Sequence, residues 1–211
     1  MAFCLAPAHH PGFAHAGPVR KELGVPTIFN VLGPLCNPGQ PPAALIGCAD
    51  LRLAPVLAQV QQDRGFAAAI VRSDLGLDEI STSGTTQVWD VTTDQVRHEV
   101  LDPLVLGISQ ATLEDMRGGD AMANAHVARE VLAGHRQGTI GLIRDVVALN
   151  AAAALVVFDS TRATHQFGSP HTSFTARVHK ALEAAYDSLD SGAAEKALAR
   201  LVAVSAALAT Q

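Results

Sequence analysis

Two stretches hold residue types that could do chemistry. Between residues 9 and 38 one fixed cation, Arg20, stands with three imidazoles, His9, His10 and His15, an apolar run that reads as buried, and Gly/Pro breaks. A guanidinium is always charged and presents a planar fork that grips a carboxylate through two parallel hydrogen bonds. The set suits a small anionic ligand; an equally weighted reading makes Arg20 part of a surface helix with Lys21 and Glu22 as solvated neighbours. The second stretch, Ser73 to Ser81, carries adjacent acids at Asp78 and Glu79. Acids in a loop after a buried strand sit where open sheets collect ligands, and they suit a hard cation. For an arbitrary Asp-Glu pair, a solvated acidic turn is the preferred reading. Gly118-Gly119-Asp120 also invites a phosphate-loop reading, because glycines before a helix expose backbone N–H groups.

The elements that must position these residues follow from periodicity. Phe3 to Leu5 reads as the tail of a buried strand. Pro11, Gly12, Gly17 and Pro18 punctuate a loop, and Val19 to Leu23 a short helix stopped by Gly24. Ala43 to Cys48 is a strand, residues 50 to 64 a helix with Leu53, Val56, Leu57 and Val60 at helical spacing, and Phe66 to Val71 a strand apolar on both faces. Strand, helix, strand over this length is the crossover of a parallel sheet, so the class is α/β. Gln87 to Val91 and Gln95 to Leu101 alternate as a structural hairpin around Trp89.

Further on, Val127, Val131 and Leu132 mark a helix closed by Gly134. Residues 139 to 158 form an apolar helix buried on most sides. Phe174, Val178, Leu182, Ala185 and Leu189 mark another, and Ser191-Gly192 separates a last one ending at Ala209. The last two are expected to cover one face of the sheet. His98, His126, His135, His165, His171 and His179 lack metal-ligand spacing and read as surface residues.

Composition narrows the function classes. A chain of 211 residues that is 48% hydrophobic can bury one core, and one globular unit is the simpler expectation. The net charge of −5 comes without a basic block, which argues against nucleic acid. Three cysteines, Cys4, Cys36 and Cys48, show no C-x-x-C spacing and fit neither a disulfide framework nor a zinc site, so a reducing cytoplasm is expected. The start is a poor signal peptide, and the run Val146 to Phe158 is shorter than the roughly 20 residues that span a bilayer. No membrane partner is expected.

Residues 3 to 38, "FCLAPAHHPGFAHAGPVRKELGVPTIFNVLGPLCNP", resemble the substrate-binding segment of the anthranilate phosphoribosyltransferases. The resemblance continues through "GLDEIS" (76 to 81), "RGGDAMANA" (117 to 125) and "RDVVALNAAAAL" (144 to 155), and so spans nearly the whole chain. The family joins anthranilate to phosphoribosyl pyrophosphate in tryptophan synthesis, typically as a cytoplasmic homodimer. The fold it implies is the class II phosphoribosyltransferase and nucleoside phosphorylase large domain, a mainly parallel sheet flanked by helices. Residues 1 to 211 would be part of that domain, with the N-terminal helical domain and the glycine-rich pyrophosphate loop missing before Phe3.

By the same resemblance Arg20 would pair with the anthranilate carboxylate, while His10, Phe13 and Pro7 would line the aromatic pocket and Gly33 would admit a close backbone approach. Asp78 and Glu79 match the pair that holds Mg2+ on the departing pyrophosphate. No strong general base is required, because an arylamine is largely unprotonated at neutral pH. Arg20 and the acidic pair would face one another across a shared cleft. The family's phosphate loop lies elsewhere, which leaves Asp120 as a helix N-cap. The chain departs from the family at the doublet His9-His10 and in lacking the pyrophosphate loop, so these residues alone are expected to be weakly active or inactive. Two alternatives compete: a pyrimidine nucleoside phosphorylase, disfavoured by Arg20 and the metal-type acids, and a non-catalytic remnant serving as a structural or partner-binding domain.

Overall fold

Proline at its start and glycine at its end bracket the first α-helix, α1 (Gly17–Leu23): Pro18 needs no N–H partner there, and Gly24 closes the helix at φ 62°, donating to the Arg20 carbonyl. The computed structural model describes residues 11–25 and 27–209. It divides into two compact units, Met1–Pro41 and Pro42–Gln211, where length suggested one.

In the first unit, Pro11–Ala16, expected as a loop, is a 3-10 helix running directly into α1. A second short helix, α2 (Phe29–Leu35), carries Pro34 inside it. The apolar run here is not buried as expected. Val19, Leu23 and Ile28 are each more than half exposed, because two seven-residue helices have little surface to bury against each other. Phe3 to Leu5 lies outside the described residues.

The second unit is α/β. Strands β1 (Ala43–Gly47), β2 (Ala67–Ser73), β3 (Thr86–Val91) and β4 (Arg97–Leu101) form one sheet in that order. Parallel pairing is confined to β1 and β2, joined through α3 (Ala54–Asp63). The hairpin adds two antiparallel strands to the same sheet, which is therefore mixed where a mainly parallel one was expected. A tight connection such as Thr92 to Gln95 can only return a strand antiparallel.

Ala68 to Val71 are all buried, as a strand covered on both faces requires. Ala69 and Val71 join the main core with α5 (Gly138–Ser160) and α6 (Phe174–Asp190). By the alternation of the pleat, Ala68 and Ile70 face the opposite side, where α3 packs. The buried stripe of α3 is Ala54, Leu57, Ala58 and Gln61; Val56, expected inside, is 55% exposed. Two alanines on one stripe let the helix approach the sheet closely.

Only one side of α5 is core, burying Ala148, Leu149, Ala152, Ala153, Val156 and Val157 while Val147 and Phe158 stay exposed. At 23 residues it is long and apolar enough to cross a membrane by length and composition, but it packs on β1 and β2 and buries Arg144 and Asp159. The expectation of burial on most sides fails because alanine-rich turns look apolar all round. The α6 stripe is buried as its spacing predicts, yet α6 lies mainly on α5, and the last helix, α7 (Ala193–Ala209), packs on α4 (Ala121–Leu132) and α6. It is α5 that covers this face of the sheet.

The hairpin ties α6 in place. Asp90, wholly buried, accepts from Arg97 and from Arg177 of α6, each at 2.5 Å. Glu99 accepts from the Phe174 N–H at 2.8 Å, capping α6 from β4. Trp89 is buried and lies in register with His98, ring centroids 4.9 Å apart. His126, His135, His171 and His179 are exposed, as expected; His165 is instead half-buried, with φ 41°. Cys36 is exposed, Cys48 buried, and both are free thiols.

Candidate functional site

The acidic pair is placed by the turn that leaves β2. The Ser73 N–H donates to the Leu77 carbonyl at 3.0 Å, and Gly76 takes φ 84°, closing a tight loop. Asp74 at the base of the loop accepts from Gln87 at 2.9 Å and from the Thr85 hydroxyl. Ile80, fully buried, anchors the far end in the core. Between these fixings Asp78 and Glu79 stay exposed beyond the carboxyl edge of the parallel pair. The loop lies flush against the end of β1: a Cβ on Gly47 would come within 1.7 Å of the Asp78 carbonyl oxygen, so only glycine fits there.

Glu79, Ser81 and Asn150 line a cavity of about 1030 Å³ with Arg117, Gly118 and Gly119. Partial desolvation on the side that meets this wall, and then the adjacent Asp78 charge, raise the otherwise exposed Glu79 carboxyl above its ordinary pKa. Neither Asp78 nor Glu79 is in a salt bridge among the described residues. Asp50, beyond β1, differs: Arg52 grips both its oxygens, at 3.1 and 2.8 Å, and holds its pKa down to about 2. Cys48 is a poor nucleophile, since burial raises its thiol.

Gly119 is already engaged: Asn124 accepts from its N–H at 2.9 Å and donates to its carbonyl at 3.0 Å, so this N–H is not open to an anion. Asp120 caps α4 as expected, accepting from the Ala123 N–H at 2.9 Å.

In the first unit Arg20 and Phe13 meet around a residue the sequence reading did not single out, Phe29. The Phe13 and Phe29 rings stand edge to face with centroids 5.4 Å apart. The Arg20 guanidinium carbon lies 5.8 Å from the Phe29 centroid. Among the described residues, Gly33 has open space where a Cβ would stand. Pro7 and His10 lie outside the described residues, and Arg20 and the acidic pair belong to different units.

Residues 1–195 match the family described as glycosyl transferase family, a/b domain. The chain belongs to that family. This glycosyl transferase domain is 45% identical to the anthranilate phosphoribosyltransferase of Salinispora arenicola over 208 residues, 99% of the chain but 55% of that relative. Its fold resembles the Saccharomyces cerevisiae enzyme in complex with PRPP and Mg, with TM-score 0.76 and 30% identity over 94% of the chain and 51% of the other. It is equally similar to that enzyme in complex with 4-fluoroanthranilate, with TM-score 0.78 and 30% identity over 95% and 53%. The chain thus spans about half the length of the relatives it matches.

Proposed function

We propose that this chain is part of the large α/β domain of an anthranilate phosphoribosyltransferase, working in the cytoplasm as a homodimer. The observation that carries the reading is the uncommitted Asp78–Glu79 pair, held at the sheet's carboxyl edge in a chain whose relative was solved with PRPP and Mg. Two free carboxylates fit Mg2+, which usually takes one or two protein oxygens and fills its remaining positions with water and phosphate oxygens. Bound there, the ion would neutralise charge developing on the pyrophosphate as it leaves.

The chain's own residues orient and hold. Arg20, braced by Phe29, pairs with the anthranilate carboxylate, and Phe13 offers an apolar edge to the ring; the family resemblance adds His10 and Pro7 to the binding set. So positioned, the amine nitrogen attacks C1 of the ribose, the C–O bond to pyrophosphate breaks, and the surplus ammonium proton passes to solvent. Catalysis is positioning plus charge stabilisation, with no covalent enzyme intermediate.

Calorimetric titration of the chain with anthranilate, and then with the phosphoribosyl donor and Mg2+, tests the reading. Saturable anthranilate binding lost in Arg20→Ala is the expected result; absence of binding to both reactants would refute it. Mixing both substrates and following anthranilate fluorescence should show slow loss or none, since the chain spans about half the length of the relatives it matches.

A further inference from the structure

We infer that Asn150 is a positioning residue for the acidic pair: its carboxamide pins the loop at Ile80 and thereby sets how tightly Asp78 and Glu79 hold a hard divalent cation. The inference rests on the reading of that pair as the metal-holding group.

The Asn150 carboxamide takes both backbone polar groups of Ile80. Its Oδ1 accepts from the Ile80 N–H at 3.1 Å, and its Nδ2 donates to the Ile80 carbonyl at 2.7 Å, across 70 positions of sequence. This is what a neighbouring strand would supply, but Ile80 lies outside all four strands. The second Nδ2 proton goes to the Val146 carbonyl, one turn back on α5, at 2.9 Å. That third bond fixes which end of the amide faces which Ile80 group.

The support is rigid. Asn150 stands on α5 beside Leu149, Ala152 and Ala153, all buried, so the helix cannot yield without opening the core. On the other side of the pair, the Asp78 carbonyl lies flush with Gly47. Leu77 is held by Ser73, and the Ser81 N–H donates to Thr86 Oγ1 at 3.3 Å. Asp78 and Glu79 therefore stand between pinned residues on both sides, and Glu79 shares its cavity wall with Asn150.

An asparagine inside an apolar helix is unfavourable to the helix itself, since it competes for backbone hydrogen bonds. A purely structural explanation is that it satisfies two buried backbone groups. The two roles separate in measurement. Loss of a structural partner lowers stability alone, whereas loss of a group that orients metal ligands typically weakens metal affinity 10- to 100-fold.

The test uses Mn2+ as a paramagnetic stand-in, titrated into the whole chain while amide resonances from 77 to 82 are followed by NMR. Wild type should show broadening centred on Asp78 and Glu79. Asn150→Leu, which keeps the number and branching of side-chain heavy atoms and removes all three bonds, should require about tenfold more Mn2+ for the same broadening. Val156→Ala, a core change on the same helix, should lower the melting temperature and leave the titration alone. Should Asn150→Leu not fold, Asn150→Ser carries the same expectation. The inference is overturned if the Asn150 variants titrate like wild type while Ile80 amide exchange accelerates. A different result marks failure of the metal reading itself, and of the inference with it: wild type unaffected by Mn2+, or the double variant Asp78→Asn, Glu79→Gln titrating like wild type.

Discussion

The Arg20 guanidinium carbon stands 5.8 Å from the centre of the Phe29 ring, and the same ring meets Phe13 edge-on at 5.4 Å. A cation near an aromatic face is attracted by the ring's quadrupole. The contact therefore helps to orient Arg20. Arg20 also sits in the last turn of α1, where the helix dipole favours a cation.

In the enzyme carrying this domain, Arg20→Ala should raise the KM for anthranilate by an amount equivalent to about 2 to 5 kcal/mol if the charge pair is desolvated. Arg20→Lys should recover little, because an ammonium lacks the planar fork. Phe29→Leu should cost less, about 0.5 to 1 kcal/mol, the range of an exposed cation–π contact. Steady-state kinetics at saturating donor decide the order; an unchanged KM in Arg20→Ala removes the residue from the site.

The double substitution Asp78→Asn, Glu79→Gln should flatten the magnesium dependence of turnover in that same enzyme and leave the fold intact, since both side chains are exposed and outside salt bridges among the described residues. A magnesium titration indistinguishable from wild type would make the pair an ordinary acidic turn.

Much of the fold was legible where one local signal decides the structure. The α6 stripe from Phe174 to Leu189, the Asp120 cap and the Gly24 stop all follow from spacing over a few residues. What escaped depends on partners far along the chain. Arg177 looks like a surface residue of an amphipathic helix until Asp90, 87 positions away, compensates its charge. Asn150 reads as a flaw in an apolar run until Ile80 is seen beside it. The helix Phe29–Leu35 was hidden by Pro34, and the 3-10 helix Pro11–Ala16 by its proline and glycine. Of the candidate site, the acids could be named from their loop, but the role of Phe29 required the ring contacts.

The raised Glu79 carboxyl has a signed consequence for pH. Its folded pKa lies above the ordinary 4.5. The folded state thus binds a proton the unfolded state has released, and stability falls as pH rises through the folded pKa. Glu79→Gln should therefore melt higher than wild type at pH 7 without metal, with the difference vanishing below the ordinary glutamate range. Added Mg2+ should narrow the gap at pH 7, because wild type alone gains a counter-charge. Melting curves across pH, with and without Mg2+, check both; a gap that grows on acidification contradicts the shift.

The buried Asp90–Arg177 pair should dominate the mutational response of the second unit. Arg177 is 2% exposed and Asp90 wholly buried, so removing one partner strands the other's charge in the core. Breaking such a pair typically costs about 3 to 5 kcal/mol. Arg97 also pairs with Asp90, at 2.5 Å, so Arg177→Met should lie at the low end of that range. Asp90→Asn should lie higher, since it leaves two guanidinium groups facing each other without their anion. The double variant Asp90→Asn, Arg177→Met should lose less than the sum of the two, because neither partner is then stranded. Urea unfolding of the three variants measures this coupling, and strict additivity would mean that the pair does not hold α6 to the hairpin.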